Sequence, residues 1–310
     1  MRYQSFLTDS ARWDGFPFRP GDIIISTPAK CGTTWAQMIC ALLIFQTPEL
    51  PRSLDLLSPW MEMRLRRRRE VFDLYEAQTH RRFIKSHTPL DGLPVDERIT
   101  YISVGRDPRD VALSWRGHMG NLDFDAMFAA LGSAIEPDDY FTAPRVPPTF
   151  TDERDAVRYW VDDPTPPEES AMSLAGLLHH LAGFWAVRDR DDVIVLHYDD
   201  LQTDLEGEMR RLAGRLGIAV PEERWPTLVK AATFDEMRRR ADERAPDTSN
   251  RIWKSTTDFF HRGTSGQWED IFDADLAAHY EARVRELAAA DLVAWLHPRG
   301  MGGVPPTEAA

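Results

Sequence analysis

Residues 22–45 constrain the fold more than any other stretch. Asp22-Ile-Ile-Ile-Ser26 is a continuous apolar run bounded by Pro20-Gly21 and Pro28, the pattern of a buried strand. Thr27-Pro28-Ala29-Lys30-Cys31-Gly32-Thr33-Thr34-Trp35 follows, and from Thr33 to Phe45 the residues Trp35, Met38, Ile39, Leu42 and Leu43 recur with helical spacing. A loop that opens a helix presents unpaired backbone N–H groups at the positive end of the helix dipole. Gly32 allows close backbone approach, Thr33 and Thr34 add hydroxyl donors, and Lys30 adds a mobile positive charge. Together they make a cradle for a phosphate-sized anion. The plainer alternative is a capped helix with a surface lysine.

Other segments repeat the alternation. Arg82-Phe-Ile-Lys85, Ile99–Val104 and Val193–His197 read as strands. Asp107-Pro108 starts a helix with a carboxylate cap and proline at the first position, running to about His118. A long apolar helix, Leu174 to Val187, precedes the last strand. Near-continuously apolar strands between helices predict an α/β fold: a central parallel sheet covered by helices on both faces. Residues 132–170, with seven prolines and scattered aromatics, read as an irregular insertion over the sheet edge. Residues 59–79 read as an amphipathic helical segment, with Arg66–Arg69 on a solvated face. The tail from Gly300 reads as frayed.

Composition removes several classes. With 37 basic against 50 acidic side chains the net charge is −13, which disfavours nonspecific binding to nucleic acid or anionic membranes. Two cysteines, Cys31 and Cys40, exclude a disulfide scaffold and a multi-cysteine metal cluster, and no metal is expected. The N-terminal residues lack the pattern of a signal peptide. The apolar stretch Met38–Phe45 is far below the ~20 residues of a membrane span, so a cytoplasmic location is expected. Only four of the basic residues are lysines: Lys30, Lys85, Lys230 and Lys254.

Two familiar phosphate loops fail here. A Walker A loop needs glycine, four residues, then Gly-Lys-Ser/Thr; here Lys30 precedes Gly32. A cysteine phosphatase loop places arginine six residues after its cysteine, where this chain has Gln37. A second cluster lies in Phe83-Ile-Lys85-Ser86-His87-Thr88-Pro89-Leu90. Lysine and histidine two residues apart at a strand end can point the same way into the crevice there.

These segments resemble the cytosolic-type sulfotransferases, which move a sulfuryl group from 3′-phosphoadenosine 5′-phosphosulfate (PAPS) to a hydroxyl or amine. Pro28-x-Lys30-x-Gly32-Thr33-Thr34-Trp35 is similar to the family's 5′-phosphosulfate loop. The Lys85–His87 segment looks like its Lys-Thr-His-Leu-Pro, whose histidine is the catalytic base. Arg106-Asp107-Pro108-Arg109-Asp110-Val111-Ala112-Leu113-Ser114 is similar to its 3′-phosphate motif, which implies that Arg106 and Ser114 hold that phosphate. Phe259-Phe260-His261-Arg262-Gly263-Thr264-Ser265-Gly266-Gln267-Trp268 resembles the segment that closes over the nucleotide, with Arg262 and Gly263 keeping the phosphate contact. His261 stands at the usual arginine and Gln267 at the usual aspartate. Tyr198 and Phe234 match positions that line the adenine pocket, and Trp35 would stack on the base. The family's Lys-Thr-Val-Glu dimer motif is not visible.

The resemblance runs from about residue 19 to 270 and implies a P-loop-like three-layer fold in one domain over 1–310. Ala11-Arg-Trp-Asp-Gly15, Thr88-Pro-Leu-Asp-Gly92 and Phe-Phe-x-Arg-Gly look like the bacterial glycolipid-type members. The implied chemistry gives His87 as base, Lys85 on the sulfuryl oxygens, and Lys30 with Gly32–Thr34 on the 5′-phosphate. The implied products are a sulfated acceptor and adenosine 3′,5′-bisphosphate (PAP). Phe124, Met127, Phe128, Tyr140, Phe141, Phe150 and Trp160 suggest an apolar or amphipathic acceptor such as a glycolipid, sterol or phenol, with transient membrane contact and no span; the plainer alternative is that they pack the insertion. Two rival classes are a P-loop-type small-molecule kinase and a noncatalytic nucleotide-binding member.

Overall fold

Four parallel strands, β1 (Ile23–Ser26), β2 (Phe83–Ser86), β3 (Thr100–Gly105) and β4 (Val193–His197), hydrogen-bond in the order β2-β1-β3-β4. The computed structural model describes residues 1–136, 148, 150–170 and 172–301. Ile25 lies opposite Lys85 on one side and Ile102 on the other, and Gly105 lies opposite His197. The branched residues of β1 are fully buried because both faces of the sheet are covered.

Ile23 and Ile25 pack with Ile102, Val104, Ile194 and Leu196 against α1 (Thr33–Phe45) and the later helices α7 (Tyr198–Thr203), α8 (Leu205–Arg215) and α9 (Trp225–Ala232). Ile24 faces the opposite layer, with Ile84, Tyr101, Trp13, Phe16 and Phe184. That layer includes α2 (Arg68–Glu76) and α6 (Leu174–Ala186). A third cluster joins α3 (Pro108–Asn121), α5 (Glu153–Asp162), α6, α11 (Ala274–Leu287) and α12 (Ala290–Leu296). The other helices of six or more residues are α4 (Phe124–Ala134) and α10 (Phe234–Arg239). Asp107 caps α3 as expected, accepting from the Arg109 backbone N–H at 2.9 Å.

Two segments depart from the sequence reading. Of residues 59–79 only Arg68–Glu76 is helical. Met61 to Leu65 are all buried, in turns around an isolated bridge at Met63, because their backbone pairs elsewhere: Trp60 bridges Lys85 on the edge of β2, the Met61 N–H donates to the Lys85 carbonyl, and Glu62 and Arg64 bond the N-terminal residues Asp9 and Leu7. A run buried on all sides has no single apolar stripe, so its own pattern does not report its structure, and the helical periodicity of the neighbouring Arg68–Glu76 does not extend over it. The stretch 132–170 contains α5, whose Val157, Trp160 and Val161 are buried; its Asp152 cap accepts from Arg154 N at 2.7 Å. Residues 137–147, with their prolines and with Tyr140 and Phe141, lie outside the described residues, as do 302–310 of the tail.

Candidate active site

The carboxyl ends of β1, β2 and β3 open into a cavity of about 1180 Å³. The chain leaves β1 between strands reached by different connections, the crevice where ligands of open α/β sheets bind. Its walls include Lys30, Gly32–Trp35, Lys85, His87, Arg106, Ser114, Tyr198, Phe234 and His261–Gly263. Every site residue read from the sequence therefore meets in one space.

The β1–α1 loop turns sharply. Lys30 and Gly32 both have positive φ, 68° and 104°, and a Cβ on residue 32 would sit 3.1 Å from the Tyr198 ring. Glycine is required there for conformation and for space. Thr27 Oγ1 donates to the Pro28 carbonyl, so Thr33 must donate the 2.5 Å bond between the two hydroxyls. That leaves the Thr34 hydroxyl and the backbone N–H groups of the first turn of α1 for an anion. The Lys30 ammonium lies 3.2 Å from His118 Nδ1 and 4.7 Å from the Phe259 ring centre. Burial, with Arg106 and Lys85 nearby, pushes its pKa from 10.5 down to about 7. Cys31 is buried and its thiol is pushed up to about 12, so it stays protonated and is no nucleophile.

Lys85 lies one residue before the end of β2, 5% exposed, with its ammonium 4.7 Å from the Trp60 ring centre. Burial lowers its pKa, opposed by the charges of Asp247, Glu62 and Asp55. His87 lies two residues on. Its Nδ1 is 2.6 Å from the Thr27 carbonyl, which can only accept, so Nδ1 carries the proton and Nε2 keeps its lone pair. Burial and the Lys85 charge hold its pKa well below the usual histidine value, so the ring is neutral at neutral pH. The Trp60 ring meets it edge-on at 4.4 Å between centres.

Arg106 is 4% exposed and bridges two loops: Nη1 donates to the Lys30 carbonyl (3.1 Å) and Nη2 to the Thr264 carbonyl (3.0 Å), while its guanidinium stacks 4.2 Å over Tyr198. Its buried Nε–H has no hydrogen-bond partner among the described residues. Asp110 accepts from the backbone N–H groups of Gly266 and Gln267, both at 2.8 Å, and so fixes the 260–267 loop over the cavity. Gln267 turns its amide onto the Thr264 carbonyl within the same loop. Gly263 has φ 68°, and a Cβ there would overlap the Phe234 ring at 2.3 Å. Trp35 donates to the Ala232 carbonyl at 2.8 Å and meets Tyr198 edge-on. Trp35, Tyr198 and Phe234 thus make an aromatic slot beside the anion loop.

The sequence reading missed Glu62, Trp60, His118 and Lys254, which line the same cavity. Glu62 is buried; its Oε1 accepts from Trp13 Nε1 (2.6 Å), Ser86 Oγ (2.5 Å) and Thr88 Oγ1 (2.8 Å), and burial raises its pKa. Nothing local marks it, since it lies in the misread 59–79 segment. His118 was legible: it lies four residues after Ser114 in α3, on the same helix face. Lys254 was one of the four lysines, and its Nζ donates to the Gly120 carbonyl at 2.9 Å. Phe124, Met127, Phe128, Phe150 and Trp160 also line the wall; Tyr140 and Phe141 lie outside the described residues.

Comparison with known proteins agrees with this geometry. Residues 20–291 match the family model described as the sulfotransferase domain. A glycolipid sulfotransferase of Mycobacterium bovis is 42% identical over 309 residues, covering 95% of this chain and 93% of the relative. Among solved structures, mouse sulfotransferase SULT7A1 complexed with PAP superposes with a TM-score of 0.67 at 16% identity, over 93% of this chain and 91% of the other. Retinol dehydratase in complex with androsterone and inactive cofactor PAP gives 0.66 at 19%, over 91% and 86%. At those identities the structures establish the P-loop-like fold. Family model and close relative together place this chain in the sulfotransferase family.

Proposed function

We propose that this protein, acting as one domain in the cytoplasm, moves a sulfuryl group from PAPS to a hydroxyl of an amphipathic acceptor of the glycolipid class. The observation that carries this is the tautomer of His87: its Nδ1–H is bound to the Thr27 carbonyl, which leaves Nε2 as a proton acceptor in the cavity that also holds Lys30, Lys85 and the anion loop.

The residues fit the donor. The Nε–H of Arg106, unpartnered among the described residues, and the exposed Arg262 supply donors for one phosphate. Lys30 and the first turn of α1 supply them for the other, and Trp35, Tyr198 and Phe234 stack around a base. PAPS supplies the activated sulfuryl group, with PAP as leaving group. His87 Nε2 takes the acceptor's hydroxyl proton as the new S–O bond forms, Lys85 stabilises charge on the sulfuryl oxygens, and Lys30 offsets charge on the departing phosphate oxygen. The apolar wall and the glycolipid sulfotransferase relative support this acceptor class. Transfer assays with PAPS and a panel of glycolipids, sterols and phenols test it: glycolipids should be sulfated best, and no transfer to any acceptor would refute the reading.

Two further outcomes are expected. Above pH 7 Lys30 is largely neutral in the free protein, and a bound phosphate favours its charged form, so binding PAP takes up a proton. Affinity should fall as pH rises through 7, by up to about tenfold per unit. Lys30→Arg should flatten that slope, as read by calorimetry in buffers of different ionisation enthalpy. Asp110→Asn loses one of the two charge-assisted bonds that hold the 260–267 loop. It should weaken PAP binding by roughly ten- to a hundredfold with little change in turnover at saturating donor.

A further inference from the structure

We propose that the mouth of the acceptor cavity docks onto an anionic lipid surface, through the outer face of α4 and the arginines at the start of α2. This rests on the amphiphile reading of the cavity and extends it to how such an acceptor is reached.

Three observations meet at one place. The first is α4 itself. Its inner residues Met127, Leu131 and Ala134 are buried, yet Phe124 (42%), Phe128 (44%) and the following Ile135 (52%) are exposed. Positions 124, 128 and 135 fall within about 40° of one another around a helix at 3.6 residues per turn. The exposed positions of α4 carry a single charge, Asp125, whereas a solvated helix face is normally rich in charge. Large apolar groups gathered at the rim of a cavity mark an interaction site.

The second is basic charge beside that face. The Arg68 backbone N–H donates to Glu136 Oε2 at 2.9 Å, next to Ile135, and Leu65 packs in the same cluster as Met127 and Leu131. Arg67 and Arg68 are exposed and their side chains have no ion-pair partner among the described residues. Of their acidic neighbours, Glu136 pairs with Arg12 and Asp73 and Glu76 pair with Arg69, while the exposed Glu70 accepts from the Arg67 backbone N–H. Two exposed arginines outside any ion pair among the described residues thus stand beside this apolar face, and they complement an anionic headgroup layer.

The third is continuity. Phe124 and Phe128 belong both to the exposed face and to the cavity wall, so an amphiphile leaving a lipid layer at this face enters the cavity without crossing water. Phe6, edge-on to Phe128 at 5.8 Å, extends the apolar rim.

Flotation with vesicles tests this on the full chain, without acceptor. The protein should bind equimolar phosphatidylglycerol–phosphatidylcholine vesicles, bind phosphatidylcholine alone much less, and detach as salt rises. Each arginine near an anionic surface contributes about a factor of five, so Arg67→Glu with Arg68→Glu should weaken binding at least about thirtyfold. Ile135→Asp should weaken it about fivefold. Both variants should sulfate a water-soluble short-chain glycoside as the wild type does. Wild-type protein that ignores anionic vesicles, or a double variant that binds like wild type, would overturn the proposal. So would a dimer in sedimentation that Ile135→Asp dissolves, since a second copy then covers the face. Failure to sulfate the soluble glycoside would instead count against the acceptor reading.

Discussion

His87→Ala will lower kcat/KM by roughly a hundredfold to ten-thousandfold, the range set by loss of a positioned general base, while PAP affinity stays within about twofold of wild type. The ring is held by one short bond, Nδ1–H to the Thr27 carbonyl at 2.6 Å, and by the edge of Trp60. That bond selects the tautomer with a free Nε2, so no proton must be lost before reaction. The depressed pKa fixes the sign of the pH dependence. A base works unprotonated, and a pKa well below 6.5 keeps it so down through pH 6. The kcat/KM profile should therefore be flat on His87's account between pH 7 and 6 and fall only in more acidic solution. Activity of His87→Ala within threefold of wild type would end the assignment.

Lys85→Met should reduce kcat by about a hundred- to a thousandfold, the loss typical of removing one preorganised group aimed at developing charge, and should change PAP affinity less than about fivefold. Methionine keeps the buried stem against Trp60 and removes only the ammonium. Burial lowers the Lys85 pKa, but the negative charges of Asp247, Glu62 and Asp55 oppose the shift. A charge kept at 5% exposure acts in a poorly screened medium, where it is worth more to a transition state than the same charge in water. The converse pattern, with affinity lost and turnover kept, would place Lys85 on the nucleotide phosphates instead.

The order of strands and helices was legible because β1, β3 and β4 are near-continuous branched apolar runs and Asp107-Pro108 carries its own helix-start signal. The anion loop was legible because Lys30, Gly32, Thr33 and Thr34 are contiguous, so their chemistry is local. Residues 61–65 were not: apolar and charged positions are buried alike and their backbone is held by the distant Lys85, Asp9 and Leu7, so the sequence pattern does not report the structure. That one misreading concealed both Trp60 and Glu62, the neighbours that shape the surroundings of Lys85 and His87.

By itself the sequence determined the local chemistry: which residues could cradle an anion, which histidine lay at a strand end, and which family those motifs resemble. Only the tertiary structure decided how they combine. It gave the His87 tautomer, because Thr27 is 60 residues away in the chain and its carbonyl reaches Nδ1 only after β1 pairs with β2. It engaged the Thr33 hydroxyl and divided the Arg106 fork between two loops. It brought Lys254 to the wall and set the Arg67–Arg68 pair beside the apolar rim of α4. Spacing along a chain reports contacts within a strand or a helix turn; protonation, partner choice and surface patches depend on contacts between segments far apart in sequence, which packing alone creates.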